Sequence, residues 1–232
     1  MLDSLFKTFD NIIVLDTETT GFSPVKEEII ELAMLQVEKA GSGFRIYREY
    51  DEFIRLSPGK ELPAKITELT GISREMLDTQ GVAKERVCAD LSETLSCSRP
   101  LVVAYNAQFD LCFLYYFLRL FGKASVLGNI KMLDALTVYK DRRPYPHKLC
   151  NAIEAYGLKG QNTHRAIDDT QATFELLCAM AEERDDLEQY INLFGYNPRF
   201  GVPRPKIGSV KYLPQGYEPH GPLYEQAQAA LF

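Results

Sequence analysis

Cysteines are few in this 232-residue sequence, and they are not arranged to cross-link a fold. The five cysteines are odd in number, widely spaced and free of any C-x-x-C pair. Such spacing argues against a disulfide framework and against a cysteine-ligated zinc site. It favours reduced thiols in a cytoplasmic protein.

Long hydrophobic runs and a basic N-terminus are also missing. The longest apolar stretch, near residues 111–121, is too short to cross a bilayer and is typical of a buried helix. The opening "MLDSLFKTFD" is acidic where a secretion signal is basic. We therefore expect neither export nor association with a membrane.

An excess of positive charge is lacking as well, since the formal net charge is −6. That balance argues against unspecific coating of nucleic acid but not against a nuclease, whose contacts are local. Basic stretches occur at residues 140–148 and 199–211. Solvated loops explain these stretches at least as well as a binding surface does.

A hydrophobic content of 46% over this length fits one α/β domain. The patterning predicts strands at residues 11–16, 29–39, 44–56 and 101–105, and helices within residues 82–97, 107–121, 147–156 and 166–184. We therefore expect a mixed sheet covered by helices in a domain over residues 1–195. A Pro- and Gly-rich tail, extended or flexible and with little core of its own, should follow over residues 196–232.

Two carboxylates, Asp16 and Glu18, follow the first buried run in "IIVLDTETTGF". Alternation along a strand places them on one face and Thr17 on the other. Two acids on one face suit a hard divalent cation such as Mg²⁺, which takes oxygen ligands. A strand end whose acids simply protrude into solvent explains the pair about equally well.

Two later patterns add acids to this pair. In "VVAYNAQFD", Asp110 follows a predicted strand at the start of a helix, where a carboxylate also interacts favourably with the helix dipole. In "NTHRAIDDTQ", His164 precedes a helix and Asp169 lies in its first turns, which capping by Thr163 would also explain. Together the three patterns supply four carboxylates and one of only three histidines.

In this order and at these intervals, D-x-E, N-x-x-F-D and H-x-x-x-x-D resemble the motifs of the DnaQ-like 3′→5′ exonucleases of the DEDDh group. The similarity runs from about residue 11 to residue 184, and it implies a ribonuclease H-like fold with a mixed five-stranded sheet flanked by helices. Two departures occur. Tyr105 stands where many members have His, and Asp168 stands beside the motif acid, although the H-x-x-x-x-D spacing selects Asp169.

The resemblance implies catalytic roles for five residues, Asp16, Glu18, Asp110, His164 and Asp169. The four acids would bind two Mg²⁺ or Mn²⁺ ions about 4 Å apart, which stabilise the attacking and leaving oxygens of an in-line displacement. Asp16 would bridge both ions, Glu18 and Asp169 would complete the nucleophile-side ion, and Asp110 would hold the other chiefly through water. His164 would accept the proton of the attacking water, because imidazole ordinarily titrates near neutral pH.

The resemblance also implies where a 3′ end would bind. The main chain near Thr17 and the side chain of Thr19 would receive the terminal 3′ hydroxyl. Phe22 would wedge against the last bases, while Asn106 and Phe109 would line the same groove. An ordinary loop position packed on the domain is the alternative for Phe22.

These features favour a metal-dependent exonuclease acting on single-stranded or frayed DNA 3′ ends in replication or repair, with a DNA polymerase as a partner. An RNA-trimming enzyme resembling RNase T or oligoribonuclease is one alternative, because metals and phosphate are common to both. A non-catalytic replication adaptor is another, although the intact five-residue set argues against it.

The last five residues, 228–232, resemble the Q-x-x-L-F peptides by which bacterial replication proteins dock on the sliding clamp. Gln228 would hydrogen-bond at a pocket rim, while Leu231 and Phe232 would each contribute about 1.5–3 kcal/mol on full burial. Ala229 departs from the commoner Leu, so we expect weak binding. A short amphipathic end that packs on its own domain is the alternative.

Overall fold

The computed structural model describes residues 2–41 and 43–229. Its main sheet consists of β1 (Asn11–Thr19), β2 (Ile29–Ala40), β3 (Gly43–Phe53), β4 (Pro100–Ala104) and β5 (Lys131–Asp134), in the order β3-β2-β1-β4-β5. β2 is antiparallel to β1 and β3, whereas β4 is parallel to β1 and β5. The predicted mixed five-stranded sheet is confirmed.

Helices flank this sheet. They are α1 (Asp3–Phe6), α2 (Ala64–Thr70), α3 (Arg74–Thr79), α4 (Lys84–Leu95), α5 (Ala107–Leu120), α6 (Ala135–Arg142), α7 (Leu149–Tyr156), α8 (Ala166–Glu183) and α9 (Leu223–Ala229). Short 3₁₀ turns occupy Ala124–Gly128 and Leu187–Tyr190. Over the described ranges, none of the helices is both long enough and apolar enough to cross a membrane.

The central strand β1 is apolar at four successive positions because helices cover both of its faces. Ile12 and Val14 belong to the apolar cluster that contains the buried side chains of α8. Ile13 and Leu15 belong to the cluster on the other face, with those of α4 and α5. Since side chains alternate along a strand, the next residue, Asp16, falls on the α8 face.

β1 runs three residues beyond the predicted end at residue 16. Its pairing with β2 continues past Asp16, so that Glu18 lies opposite Glu31, and the register shifts only between Glu18 and Thr19. The ladder therefore holds both acids at fixed positions. The turn begins after Thr19.

The C-terminal segment packs on the domain. β6 (Leu193–Tyr196) pairs in parallel with β7 (Lys211–Pro214), so the predicted boundary after residue 195 falls inside a strand. Val210 and Leu223 are buried in the two main apolar clusters. The Gln215 amide donates hydrogen bonds to the Thr137 carbonyl and to Asp141 of α6, at 2.9 and 2.7 Å.

The described part of the tail therefore lies against the domain instead of extending from it, because its apolar and amide side chains find partners there. Of the predicted clamp-binding residues, Gln228 lies within α9. Leu231 and Phe232 lie outside the described residues.

Candidate active site

Two parallel strands end at the same edge of the sheet, and the predicted acids lie there. Asp16 and Glu18 occupy the carboxyl end of β1 and lie opposite Ala33 and Glu31 of β2. β4 runs parallel to β1 and leads directly into α5, whose first turn carries Asp110. Carboxyl ends of neighbouring parallel strands form a crevice at one edge, which brings these three acids together.

The acids are close enough to raise one another's pKa. Burial, and then the charges of Asp110, Glu18 and Asp169, hold the pKa of Asp16 well above its ordinary value. Burial, followed by the charges of Asp169 and Glu31, raises the pKa of Glu18 to about 8. Bound cations would favour the charged forms of these groups and so act against both burial and repulsion.

His164 and Asp169 reach the same cluster from the start of α8. Single ligand atoms of Glu18, His164 and Asp169 all lie within 4.8 Å of one another. The Asn162 amide donates to Asp169 Oδ2 at 2.6 Å. In the part of the chain that the structure describes, Asp169 Oδ1 is buried without a hydrogen-bond partner. Because buried polar atoms are normally satisfied, this oxygen fits a metal ligand.

Asp168, the acid beside the motif position, faces elsewhere. Its Oδ2 accepts a hydrogen bond from the Thr163 hydroxyl. Burial raises the pKa of Asp169, although Asn162 and His164 act in the opposite direction. The structure therefore places Asp169, the acid that the motif spacing selects, beside Glu18 and His164.

Asp110 is held by Thr17. The Thr17 amide and hydroxyl both donate to Asp110 Oδ1, at 3.0 and 2.7 Å. Burial raises the pKa of Asp110 to about 7 despite these hydrogen bonds. The Thr17 main chain is predicted to receive a 3′ hydroxyl, but its amide donates to Asp110. The Thr19 hydroxyl donates to the Gly21 carbonyl at 2.7 Å.

Phe22, Asn106 and Phe109 meet at one cavity of about 210 Å³. Phe22 is 90% exposed, which excludes the alternative that it packs on the domain. Phe109 rests against Phe113, with ring centroids 4.8 Å apart. Pro203 and Arg204 of the tail complete one wall, and the sequence patterns do not predict them there.

Glu31 is an acid that the motifs do not single out. It is fully buried and lies beside the acidic cluster. Its Oε1 accepts hydrogen bonds from Arg165 Nε and Nη2 at 2.9 and 2.6 Å, and its Oε2 accepts one from the Ala166 amide at 2.9 Å. Arg165 directly follows His164, so the ion pair anchors the start of α8. The signal in the sequence is an acid inside the apolar strand "IIELAML".

The sequence patterns also do not single out Asp134, which fixes the turn that leads into Asp110. Its Oδ1 accepts hydrogen bonds from the amides of Asn106 and Ala107, at 2.9 and 3.1 Å. Its Oδ2 accepts one from the Thr137 hydroxyl at 2.6 Å. These bonds hold Asn106 in the left-handed region, at a φ of 68°. The signal is an Asp where a strand passes into a helix, which is typical of an N-cap.

The fold and this site define an α/β protein with an acidic centre, suited to divalent cations, at the carboxyl ends of its central strands. Residues 13–177 match the exonuclease family, and the chain belongs to that family. The similarity to 3′→5′ exonucleases inferred from the motifs is confirmed.

Two relatives and one solved structure illustrate the similarity. The PolC-type DNA polymerase III of Thermotoga maritima is 34% identical over 174 residues, which cover 73% of this chain and 12% of the relative. The 3′-5′ exonuclease DinG of Bacillus subtilis is 33% identical over 166 residues, covering 69% of this chain and 16% of the relative. The chain thus spans a small part of either protein.

Among solved structures, the zinc-bound complex of E. coli ExoI with single-stranded DNA superposes with a TM-score of 0.69 at 18% identity. The superposition covers 78% of this chain and 42% of that chain. This likeness shows that the two chains share a fold.

Proposed function

We propose that this chain is a metal-dependent 3′→5′ exonuclease that hydrolyses single-stranded or frayed DNA 3′ ends to nucleoside 5′-monophosphates. The convergence of Asp16, Glu18, Asp110 and Asp169 beside His164 carries the proposal. The relatives support it, since DinG is named as a 3′-5′ exonuclease and ExoI was crystallised with single-stranded DNA.

We infer that the metal ions are a pair of Mg²⁺ or Mn²⁺, because all four acids supply hard oxygen ligands. Asp16, Glu18, Asp110 and Asp169 would hold these ions, with Glu18 and Asp169 close enough to share one. Bound ions would stabilise the charge on the attacking and leaving oxygens of the phosphoryl group. The unpartnered Oδ1 of Asp169 supports this assignment.

The chain's own residues would orient the substrate and move the proton. His164 would accept a proton from the attacking water as the water oxygen bonds to phosphorus and the bond to the neighbouring 3′ oxygen breaks. The Glu31–Arg165 ion pair would fix the turn on which His164 lies. Phe22, exposed at the cavity, would stack on terminal bases without regard to sequence.

The decisive assay uses 3′-labelled single-stranded DNA, mismatched duplex DNA and RNA of the same sequence. Each is incubated with Mg²⁺, with Mn²⁺ and with EDTA. The proposal requires stepwise release of nucleoside 5′-monophosphates from DNA with either metal and none with EDTA. Faster hydrolysis of RNA than of DNA would overturn the assignment of DNA as the substrate.

Neighbouring acids offer a matched control for the metal site. Asp169→Asn should abolish hydrolysis, because it removes a charged ligand from the cluster. Asp168→Asn removes the same charge one residue away and retains the hydrogen bond to Thr163, so it should hydrolyse DNA at close to the unmodified rate. Equal losses in the two variants would contradict the assignment of Asp169.

We also propose that the chain acts with a replicative polymerase and that residues 228–232 bind the bacterial sliding clamp. The similarity to PolC-type polymerases and the Q-x-x-L-F pattern support this. Deleting residues 228–232 should remove clamp binding in surface plasmon resonance and leave hydrolysis of short oligonucleotides unchanged. Equal clamp binding by the truncated and full chains would refute it.

A further inference from the structure

A loop of the tail, residues 203–208, lies across α5 beyond the end of the family match at residue 177. The Gln108 amide donates to the Pro205 carbonyl at 2.6 Å. The Tyr212 hydroxyl donates to Gln108 Oε1 at 2.6 Å and accepts from the Ile207 amide at 2.9 Å. This network ties the tail loop to the helix whose first turn carries Asp110.

The tail loop forms a wall of two cavities. Pro203 and Arg204 close the cavity of about 210 Å³ that Phe22 lines. On the other side, Lys206 helps to line a second cavity of about 390 Å³, together with Tyr115 and Arg119 of α5. Both cavities include Cys112, so they adjoin along one face of α5.

The charge of this region is opposite to that of the chain as a whole. Residues 199–211 contain four Lys or Arg and no acid, in a chain of net charge −6. A strand whose 3′ end reached the acidic cluster would be repelled there unless cations held its phosphates nearby. Arg204 and Lys206 are exposed, and they line cavities whose walls include the rings of Phe22, Phe109 and Tyr115.

We propose that the tail loop is the outer wall of the channel for single-stranded nucleic acid, and that Arg204 and Lys206 bind backbone phosphates on the 5′ side of the scissile bond. The inference rests on the proposed function. It gives the tail, which the family match does not include, a direct part in binding the substrate.

The test compares the double variant Arg204→Ala/Lys206→Ala with Arg199→Ala. Arg199 is exposed in the same segment but lines neither cavity, so Arg199→Ala removes a positive charge from the segment without altering either cavity. All three residues are exposed, and the variants should fold normally. We expect the double variant to raise the KM for dT16 about tenfold with kcat within twofold, and Arg199→Ala to retain the original KM.

Salt and substrate length sharpen the test. Removing two phosphate contacts should lower the slope of log KM against log salt by about 1.4, at about 0.7 per contact with a single strand. The effect should shrink as dT16 is shortened to a dinucleotide, which cannot reach the tail loop.

Binding of fluorescein-labelled dT16 in Ca²⁺, measured by anisotropy, tests the tail loop without hydrolysis. Weaker binding by the double variant alone supports the proposal, whereas equal binding by all three proteins, or equal weakening in both variants, overturns it. Failure of the unmodified protein to hydrolyse dT16 in Mg²⁺ or Mn²⁺ would instead overturn the proposed function.

Discussion

Acids occur in two adjacent settings, one holding the fully buried Glu31 and the other the half-buried Asp16 and Glu18, and the chain neutralises only the first. Glu31 receives two hydrogen bonds from Arg165 and one from a backbone amide. Across the β1–β2 ladder lies Glu18, which shares its surroundings with Asp16 and Asp169 and whose pKa rises to about 8, chiefly through burial. A buried acid with its own counter-charge needs no cation and becomes costly only when its partner is lost, whereas acids left to repel one another favour a bound cation.

The largest effect is expected at Asp16. Asp16→Asn should lower exonuclease activity by about 10³-fold or more, because it removes several kcal/mol of charge stabilisation at the metals. In EDTA the same variant should be at least as stable as the unmodified protein, since one repelling charge is gone. Activity is measured with labelled DNA and stability by urea unfolding. A folded variant of undiminished activity would remove the basis for a metal site at Asp16.

His164→Ala should have the next largest effect, a rate loss of about 10²–10⁴-fold, which is the usual contribution of a general base. Raising the pH should partly restore the variant, because hydroxide then replaces the lost base. His220→Ala, which changes a histidine of the tail, is the control and should keep the original profile. Parallel pH–rate profiles for His164→Ala and the unmodified protein would show that His164 has another role.

Glu31→Gln should destabilise the fold, because it removes the charge that pairs with Arg165. We expect the free energy of unfolding to fall by about 2–3 kcal/mol. This is at or below the low end for breaking a buried ion pair, because the Arg165 side chain is 32% exposed. Glu38 lies on β2 like Glu31 and forms an exposed pair with Arg45 of β3, so Glu38→Gln should cost less than about 1 kcal/mol. Similar costs for the two variants would contradict the structural role of Glu31.

The smallest effect concerns pH. The folded pKa values of Glu18 and Asp110, about 8 and about 7, lie above the ordinary values near 4, so the native state retains protons that the unfolded state has lost. The resulting stability is present below about pH 4 and is lost as the pH rises through 7 to 8. In EDTA, we expect the free energy of unfolding to fall by about 1–2 kcal/mol between pH 5.5 and 8.5, less than these pKa values alone imply, because solvent reaches the half-buried Glu18.

Two comparisons isolate the cluster as the source of that change. Mg²⁺ should reduce the fall in stability, because bound cations neutralise the acids at high pH. Asp16→Asn should reduce it as well, since the remaining carboxylates repel one another less. A decline of the same size in all three conditions would place its origin elsewhere in the molecule.

Local patterns predicted most of the fold and the placement of the acids. The alternation of β1 put Asp16 and Glu18 on one face, and the resemblance to the family motif H-x-x-x-x-D selected Asp169 over Asp168. The same patterns did not predict that β1 continues to Thr19, because that depends on pairing with β2. They also missed Asp134, whose carboxylate accepts hydrogen bonds from backbone amides 27 and 28 residues away.

Strand alternation and motif spacing are local properties read over a few positions, so the sequence alone predicted that Asp16 and Glu18 share a face of β1 and that Asp169 is the motif acid of α8. Which acids are neutralised, and where the tail lies, depend instead on contacts between distant segments of the chain. Glu31 meets Arg165 across 134 residues, and Pro205 meets Gln108 across 97. Such contacts depend on how the sheet and its helices pack together, and a specific pairing of distant residues leaves no periodic signal in the sequence.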